Sequence, residues 1–294
     1  MALIFFKQEL VNKIFEKTSL LRVKMSTIQA YIDQMGREVN LSQKPVRIIS
    51  LVPSQTELLY DLGLKDEVIA QTLFCIHPDW AHQSKTRIGG TKKLQIDKIR
   101  ELKPDLIIGN KEENIKEQME ILMKEFPVYM SDIQNLEDAL KMISDIGSIC
   151  GKEPEAKFIV DEIKLGFAEL HQTEKKKKIA YLIWNEPLMA AGHDTFINEM
   201  LHKCGFENVL LNKESRYPET SIQELNEMGV EFVLLSSEPF PFAEKHIQQL
   251  KTEGLKAEII LVDGELFSWY GSRLKYSVSY FKQLIQQINL LHES

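Results

Sequence analysis

From residue 46 onward, short apolar runs alternate with segments whose apolar residues recur every three or four positions. The short runs are rich in β-branched residues and predict seven buried strands. They are VRIISLV (46–52), DEVIAQT (66–72), DLIIGN (105–110), FPVYMS (126–131), KIAYLIW (178–184), EFVLLSS (231–237) and AEIILVDG (257–264). The segments between them predict helices, among them 95–103, 113–125 and 135–150, the last ending at Gly151. Strands that alternate with helices indicate α/β units with mainly parallel sheets.

The first strand is followed directly by a predicted helix start. Pro53 and Ser54 come immediately after VRIISLV, and proline fits the first turn of a helix. We interpret Ser54 as the N-cap, with Glu57 three residues further on completing a capping box. The first strand and helix would then form one compact unit.

Two series of strands are separated by one predicted long helix. Pro154 begins this segment, and its apolar positions form a single helical stripe. The stripe comprises Phe158, Ile159, Ile163, Phe167 and Leu170. A helix of about 20 residues spans roughly 30 Å and would connect two lobes stiffly. We therefore expect an α/β fold in which two Rossmann-like α/β lobes with mainly parallel sheets are joined by one long backbone helix.

The chain then divides into four segments. They are an N-terminal extension (1–44), an N-terminal lobe (45–152), a linking helix (153–177) and a C-terminal lobe (178–294). The extension mixes apolar and charged residues in a pattern compatible with a helix and ends in a polar stretch. We interpret it as an appendage or as residues upstream of the real start.

The N-terminus shows no export signal. Its apolar run from Ala2 to Phe6 stops at Lys7, whereas a secretory signal needs about 7 to 15 apolar residues and a small-residue cleavage site. No cysteine near the start offers a lipid anchor. No stretch of about 18 apolar residues offers a transmembrane helix either, so we expect a protein that is not embedded in a membrane.

Composition excludes several partners. The 294 residues include 36 Lys and Arg against 43 Asp and Glu, a net charge of −7. Nucleic acids and anionic lipids require a concentrated positive surface, so no nucleic-acid partner is expected. We interpret the lysine run 175–178 as a solvated helix end. Cys75, Cys150 and Cys204 are far apart and odd in number, which excludes a closed disulfide framework and a CxxC metal site.

Enzyme signatures are scarce. The chain has no GxxxxGK[ST] loop, no GxGxxG after a strand and no GxSxG elbow. A zinc set can be assembled from four side chains, but their spacing matches no common zinc pattern. These are His193, Glu199, His202 and Cys204. The simpler interpretation is a loop followed by an amphipathic helix that stops at Gly205, with four residues facing inward: Phe196, Ile197, Met200 and Leu201.

Clusters of aromatic and polar residues offer a better candidate site, and most of them follow a predicted strand. They are FCIHPDW (74–80), NKEEN (110–114), WNEP (184–187), RYPE (216–219) and LFSWYGSR (266–273). In α/β sheets, ligands bind beyond the carboxyl ends of the strands. The five loops would line one cleft between the lobes, and the alternative is that their aromatic rings pack the interface between the lobes.

The ordered motifs of the chain resemble those of a known family. They are RIISLVPSQTELLYDLGL, FCIHP, IGGTK, LKPDLIIGNKEEN, WNEPLMAAG and SWYGSR. The chain is similar to the substrate-binding proteins of cobalamin and iron(III)-siderophore ABC importers, especially the cobalamin-binding branch. The resemblance extends from about residue 46 to about residue 291 and omits the extension.

The resemblance implies a function as well as a fold. Members of this family have two α/β lobes joined by one long helix. They capture a small ligand between the lobes and deliver it to a membrane permease without bond chemistry. We therefore expect a monomeric, non-enzymatic binding protein with an ABC permease as partner. It would have no covalent cofactor, and its ligand would be cobalamin or another metal chelate such as a siderophore or heme.

Ligand-binding residues follow from the resemblance and from the clusters. The candidates are Phe74, His77, Asn110, Lys111, Trp184, Asn185, Tyr217, Phe267, Trp269, Tyr270 and Arg273. Tyr217 and the segment 267–273 fall on family positions that contact the ligand. Aromatic rings would stack on a planar ligand, while Lys111, Asn185 and Arg273 would fix its orientation.

Two candidate positions have alternatives. His77 is expected to coordinate a metal centre or to cap a turn. The aromatic residue that the family carries near Asn110 and Lys111 is missing here, which leaves the identity of the ligand open.

The family also presents an acidic residue on top of each lobe, which docks into the permease. The matching segments are NIKEQ and SIQEL, so Glu117 and Glu224 are the candidates. Glu112 or Glu113 is the alternative in the first lobe.

Two other functions stay open at this point. The resemblance implies a periplasmic protein, and the missing export signal leaves open that the protein is cytoplasmic instead. It would then be a cytosolic metalloenzyme or oxidoreductase that uses Cys75, His77 and His193, or a ligand sensor that uses the same cleft.

Overall fold

The computed structural model describes residues 28–170 and 176–293, with side chains described as far as residue 291. Two predictions lie outside these residues. They are the helical pattern before residue 28 and the part of the linking helix predicted at 171–175. Within the described residues, the predicted fold class is confirmed: two α/β lobes are joined by one helix. No helix in the described ranges is long and apolar enough to cross a membrane.

A hairpin precedes the first lobe. Its strands are β1 (Gln29–Ile32) and β2 (Glu38–Leu41), which pair antiparallel. Val39 and Leu41 are buried in the main core. Part of the predicted extension therefore packs against the N-terminal lobe.

The N-terminal lobe contains a parallel sheet with the strand order β5-β4-β3-β8-β9 and a small β6-β7 hairpin. The strands are β3 (Ile48–Ser50), β4 (Val68–Gln71), β5 (Thr86–Arg87), β6 (Gly89–Gly90), β7 (Lys93–Leu94), β8 (Leu106–Asn110) and β9 (Val128–Ser131). The helices are α1 (Pro53–Asp61), α2 (Asp79–Ser84), α3 (Ile96–Leu102), α4 (Lys116–Met123) and α5 (Leu136–Ile149). All three β3 residues are buried, as expected for a central strand covered on both faces.

The predicted capping box is wrong. Helix α1 begins two residues earlier than that box requires, at Pro53, with Val52 as the N-cap and no side-chain capping bond. Proline provides the helical φ of the first turn and has no N–H to satisfy. Glu57 is therefore free for another partner, which lies in the other lobe.

The linking helix is α6 (Glu153–Ala168), which has 16 residues and is therefore shorter than predicted. At 1.5 Å per residue it spans about 24 Å. Ile159, Ile163 and Phe167 are buried as the stripe predicted, but Phe158 is 70 % exposed. Phe158 precedes Ile159 by about 100° around the helix, which turns it out of the buried face.

Helix α6 packs against a helix of each lobe. On the N-terminal side, Gly147 of α5 allows Ala156 to approach closely. On the other side, the ring of Phe167 meets that of Phe281 edge to face, with 6.2 Å between the centroids. The main hydrophobic core therefore continues through α6 from one lobe into the other.

The C-terminal lobe repeats the α/β pattern. Its strands are β10 (Lys178–Trp184), β11 (Met189–Ala190), β12 (Glu207–Asn208), β13 (Phe232–Ser236) and β14 (Glu258–Val262). The sheet order is β11-β10-β13-β14, with β12 also beside β10 and with β11 antiparallel. The helices are α7 (Phe196–Lys203), α8 (Ile222–Glu227), α9 (Glu244–Thr252), α10 (Gly264–Ser268) and α11 (Leu274–Glu293). Every one of the seven predicted strands is present.

A largely buried ion pair provides a second connection between the lobes. Arg273 Nε and Nη2 each lie 2.8 Å from a carboxylate oxygen of Glu57 on α1. Arg273 Nη1 lies 2.8 Å from Glu265 Oε2. The side chains of Arg273 and Glu57 are only 14 % and 13 % exposed. This paired geometry is the strongest that a guanidinium and a carboxylate form.

Substitution of Arg273 is expected to destabilise the fold more than substitution of Glu57. Arg273→Met should lower the free energy of unfolding by about 3–5 kcal/mol, because Glu57 loses its largely buried cation and Glu265 keeps only His77. Glu57→Gln should lower it by about 1–3 kcal/mol, since Arg273 keeps Glu265. Urea unfolding measures both. Lys157→Met, which removes an exposed pair with Asp161, is the control and should change little. Equal losses in Arg273→Met and the control would contradict the role of the pair.

An extra methyl group at the contact between α5 and α6 is expected to destabilise the fold. In Gly147→Ala the new Cβ would lie 2.3 Å from the Ala156 Cβ. Such overpacking should lower the free energy of unfolding by about 1–3 kcal/mol, although alanine favours helix over glycine by about 1 kcal/mol. The double variant Gly147→Ala/Ala156→Gly should recover much of the loss. A single variant that unfolds at higher urea than the parent would show that the helices are not in close contact.

Candidate functional site

The loops that follow parallel strands of both lobes meet at the boundary between the lobes. Ligands of such sheets bind beyond the carboxyl ends of the strands. The loop after β8 contacts the segment before α8, and the loop after β4 contacts α10 and the residues that follow it. We call this boundary the interlobe site.

Tyr217 forms one contact across the interlobe site. Its hydroxyl donates a hydrogen bond to the Glu112 carboxylate of the N-terminal lobe, and Arg216 Nη2 lies 3.3 Å from the same carboxylate. Burial, followed by the charge of Glu112, raises the pKa of Tyr217. The backbone holds this segment in place, because Gly192 N–H donates to the Arg216 carbonyl at 2.8 Å. The structure thus brings two of the predicted clusters together.

His77 forms a second contact across the site. Its Nε2 lies 2.9 Å from Glu265 Oε2, and its ring meets the edge of Trp269 with 5.4 Å between centroids. Trp269 donates from Nε1 to Glu238 at 3.0 Å, and the Arg273 guanidinium lies 4.9 Å from its ring centroid. His77 therefore pairs with a carboxylate of the other lobe, a role that neither sequence interpretation included.

Two predicted aromatic residues expose their rings. Trp184, at the end of β10, is 41 % exposed and Phe74, after β4, is 58 % exposed. Trp184 Nε1 donates to the Glu186 carbonyl at 3.2 Å, and its ring contacts Phe240 at 5.6 Å between centroids. Asn185 follows and is partly exposed. The Trp184 ring is exposed and fixed at its Nε1, which makes it suited to stacking.

Asn110 and Lys111 have local partners. Asn110 is buried; its Nδ2 donates to Ser131 Oγ at 2.9 Å, and its Oδ1 accepts from the backbone N–H of Glu112 at 2.8 Å. Asn110 therefore shapes the turn after β8 rather than facing a ligand. Lys111 pairs with Asp132 at 2.6 Å and is exposed.

The loop 267–273 differs from expectation at two positions. Phe267 is fully buried in the core of the C-terminal lobe, where its ring contacts Tyr181 and Phe281 at 5.0 and 4.7 Å between centroids. Helix α10 turns it inward, so Phe267 does not line the interlobe site. Arg273 is likewise occupied, since its donors are taken by Glu57 and Glu265. Tyr270 contacts Phe196 and is 7 % exposed.

Two carboxylates at the interlobe site were not among the predicted ligand-binding residues. Glu113 follows β8 and Glu238 follows β13, and both are half-buried. Burial raises the pKa of Glu113, and the charges of Glu112 and Glu238 raise it further, while Lys92 opposes the shift. Burial also raises the pKa of Glu238, with a further contribution from Glu265. The sequence signal was present, because polar residues directly after strands had identified the NKEEN cluster.

No metal centre is assembled from the sequence candidates. His193 pairs with Asp194 at 2.9 Å, and Glu199 pairs with Lys203 at 3.3 Å. Cys204 is buried, which raises the pKa of its thiol. Within the described residues, no group of three His, Cys, Asp or Glu side chains is arranged to hold a metal ion. The helix interpretation is confirmed, since α7 begins at Phe196 and Gly205 follows it with φ +77°.

Two cavities lie outside the interlobe site. One of about 520 Å³ is lined by residues at the end of α6 and on α11, and one of about 370 Å³ is lined by residues near the start of β10. Neither includes an aromatic loop. At the interlobe site itself the loops touch, so a bulky ligand must displace contacts such as that between Tyr217 and Glu112.

The two predicted docking glutamates occupy equivalent places but differ in their partners. Glu117 and Glu224 each lie in the first turn of a helix, α4 and α8. Glu117 is exposed. Glu224 pairs with Lys213 and accepts from Thr220 Oγ1 at 3.0 Å, and the Lys213 bond lowers its pKa. Glu112 faces the C-terminal lobe instead of the top of its own lobe.

Comparison with known proteins identifies relatives. A vitamin B12-binding protein of Photorhabdus laumondii is 26 % identical over 254 residues, covering 85 % of this chain and 90 % of the relative. The structure of the periplasmic vitamin B12 binding protein of Vibrio cholerae matches with a TM-score of 0.67 and 18 % identity, covering 84 % of this chain and 98 % of that one. The structure of the periplasmic heme binding protein of the same organism matches with a TM-score of 0.69 and 20 % identity. The match covers 82 % of this chain and 98 % of that one.

These structural likenesses show the fold. The family model described as periplasmic binding protein matches residues 48–259, which is well over half of the chain and includes strands of both lobes. The protein therefore belongs to the periplasmic binding protein family.

Proposed function

We propose that this protein captures a corrinoid or related metal chelate between its lobes and delivers it to an ABC importer, outside the cytoplasmic membrane. Family membership supports the capture role, and relatives named for vitamin B12 support the ligand class. The carrying observation is the contact of Tyr217 with Glu112 across the lobes. It places an aromatic loop of one lobe against the polar loop of the other at the carboxyl ends of both sheets.

The chemistry of the interlobe site fits capture better than catalysis. Trp184 and Tyr217 offer broad aromatic faces, and the hydrogen-bonding groups around them can orient a large amphiphilic ring. The metalloenzyme alternative loses its support, because Cys75 is buried and its sulfur is hydrogen-bonded to Thr56 and Thr72. Burial also raises the pKa of that thiol, which disfavours the thiolate needed for metal binding or nucleophilic attack.

The connections between the lobes limit how far they can open. Helix α6 and the pair of Arg273 with Glu57 restrain the lobes at two separate places. The exposed contacts of Glu112 are weaker and can be exchanged for contacts to a ligand. We infer that a ligand enters by a small opening motion that breaks the contacts of Glu112, while the overall arrangement of the lobes is kept.

Removal of the exposed Trp184 ring or of the half-buried Tyr217 ring is expected to weaken ligand binding. Trp184→Ala and Tyr217→Ala should each reduce the affinity for cyanocobalamin about tenfold, which corresponds to about 1.4 kcal/mol. Isothermal titration calorimetry measures the affinity. Phe158→Ala is the matched control, because Phe158 is an exposed aromatic residue on α6, away from the site, and should bind like the parent.

The titration is repeated with ferrichrome and hemin to test the wider chelate class. Micromolar or tighter binding of one of the three supports the proposal. Parent protein that binds none of them would overturn it. Equal losses of affinity in the control and in the two site variants would show that the ligand does not bind at the interlobe site.

Permease docking through Glu117 is expected to be separable from ligand binding. Glu117→Gln should reduce the ligand-dependent stimulation of the permease's ATPase at least fivefold in liposomes, because an exposed carboxylate would be lost from an arginine pocket. Glu224→Gln should have a smaller effect, because Lys213 already holds that carboxylate. Affinity for the ligand should stay unchanged in both. Full stimulation by Glu117→Gln would exclude this residue from docking.

A further inference from the structure

Two buried side-chain atoms have no hydrogen-bond partner among the described residues, and they belong to opposite lobes. They are Oε1 of Gln55, on helix α1, and Oγ of Ser272, in the loop before α11. Both residues are fully buried. Buried polar atoms nearly always form a hydrogen bond, so each exception in a folded protein requires an explanation.

A hydrogen-bond network determines which end of the Gln55 amide is left over. Ser131, the last residue of β9, directs its hydroxyl hydrogen to the Gly109 carbonyl at 3.3 Å. Any other partner of Ser131 Oγ must therefore be a donor. Asn110 Nδ2 donates to this oxygen at 2.9 Å, and Gln55 Nε2 donates to it as well. The amide oxygen of Gln55 is thus an acceptor that no side chain of the network can satisfy.

The same network connects Gln55 to the interlobe site. Asn110, the last residue of β8, accepts at Oδ1 from the backbone N–H of Glu112 at 2.8 Å. The Glu112 carboxylate in turn accepts from Tyr217 of the other lobe. The Gln55 amide therefore lies beyond the carboxyl ends of β8 and β9, where ligands of such sheets bind. It adjoins the turn whose contacts must break when a guest enters.

The unpartnered hydroxyl of the C-terminal lobe lies against the same part of α1. The residues on both sides of it contact this part of the helix. A Cβ added to Gly271 would lie 2.5 Å from the Ser54 carbonyl oxygen, and Arg273 pairs with Glu57. Because Ser54 and Glu57 flank Gln55 along α1, the two unpartnered atoms belong to one junction between the lobes.

We propose that Gln55 and Ser272 bind a primary amide of the captured chelate. Gln55 Oε1 accepts a hydrogen bond from the amide N–H, and Ser272 Oγ donates one to the amide carbonyl. This inference rests on the proposed function. An acceptor beside a hydroxyl is the complement of a primary amide, which offers both a donor and an acceptor.

The missing donor is what would make this junction selective. An ester or a carboxylate has oxygen acceptors but no N–H, so it would leave Gln55 Oε1 buried and unpaired. Sites that are built to bond a polar group discriminate strongly against analogues that lack it. The ligand class that fits is therefore a corrinoid with primary amide side chains, whereas heme, whose polar side chains are carboxylates, fits poorly.

The test compares two uncharged corrinoids that share one ring system. Dicyanocobyrinic acid heptaamide carries primary amides where dicyanocobyrinic acid heptamethyl ester carries methyl esters, so only the heptaamide can donate to Gln55. Affinities are measured with the full chain by the quenching of tryptophan fluorescence. The heptaamide should bind at least fivefold tighter than the ester.

Variants then assign this preference to residues. Gln55→Met removes the acceptor and should lower the ratio of the two affinities at least fivefold. Ser272→Ala removes a donor that faces a carbonyl in both ligands, so it should weaken both severalfold and keep the ratio. Gln71→Met is the matched control and should also keep the ratio. Gln71 is fully buried too, but its Oε1 accepts from Tyr60 at 2.6 Å and its Nε2 donates to the Cys75 carbonyl at 2.8 Å.

The parental comparison needs no variant, so it decides even where Gln55→Met does not fold. A parental ratio below fivefold would overturn the binding of an amide, because solvent rather than the guest would then satisfy Gln55. A ratio that persists in Gln55→Met, or that falls equally in the control, would remove Gln55 from amide binding. Unchanged affinities in Ser272→Ala would remove the hydroxyl from it.

Failure of this inference differs from failure of the proposed function. Parent protein that binds hemin or ferrichrome but neither corrinoid would overturn amide binding, while the capture of a chelate stands. Parent protein that binds none of these four ligands would overturn the proposed function itself.

Discussion

The arrangement of the lobes depends on one arginine. Arg273 leaves the C-terminal lobe, reaches Glu57 at the start of the N-terminal lobe with two nitrogens and holds Glu265 with the third. Glu265 in turn contacts His77 of the N-terminal lobe. Because the pair is largely withdrawn from water, separation of the lobes at this point would leave charges uncompensated in a poorly solvated place. The lobes are thus fixed here, and every loop of the interlobe site is positioned relative to this anchor.

Because the pair of Arg273 with Glu57 fixes the lobes at one place, motion between them is expected at the contacts of Glu112. The bonds from Tyr217 and Arg216 to Glu112 involve side chains that water reaches, so their exchange for other partners is nearly neutral in free energy. A protein built in this way can admit a guest by exchanging a few surface contacts while α6 and its packing on both lobes stay intact. The affinity then depends on the shape and charge of a prepared surface rather than on a large rearrangement.

Local sequence patterns predicted the architecture well because strands and helices follow short periods. Seven strands, the linking helix and the meeting of the Tyr217 loop with the NKEEN loop were all accessible from β-branched runs, an apolar stripe and the rule about strand ends. Phe267 and Glu57 were misassigned for a different reason. The partner of Glu57 is 216 residues away, and the inward turn of Phe267 is set by α10 against the core. No spacing rule within one segment contains that information.

The glutamates show most clearly why residue type and position along the chain are insufficient to predict the role of a side chain. Glu57 joins the lobes, Glu112 closes a contact between them and Glu224 is held by a lysine of its own lobe. Glu113 adjoins Glu112 yet faces no cation within ion-pair distance in the described structure. The difference lies in whether the fold brings a cation within reach, which depends on the packing of distant segments. Residue type and distance along the chain therefore do not determine which carboxylates join the lobes; the packing that brings a cation to Glu57 and Glu224 does.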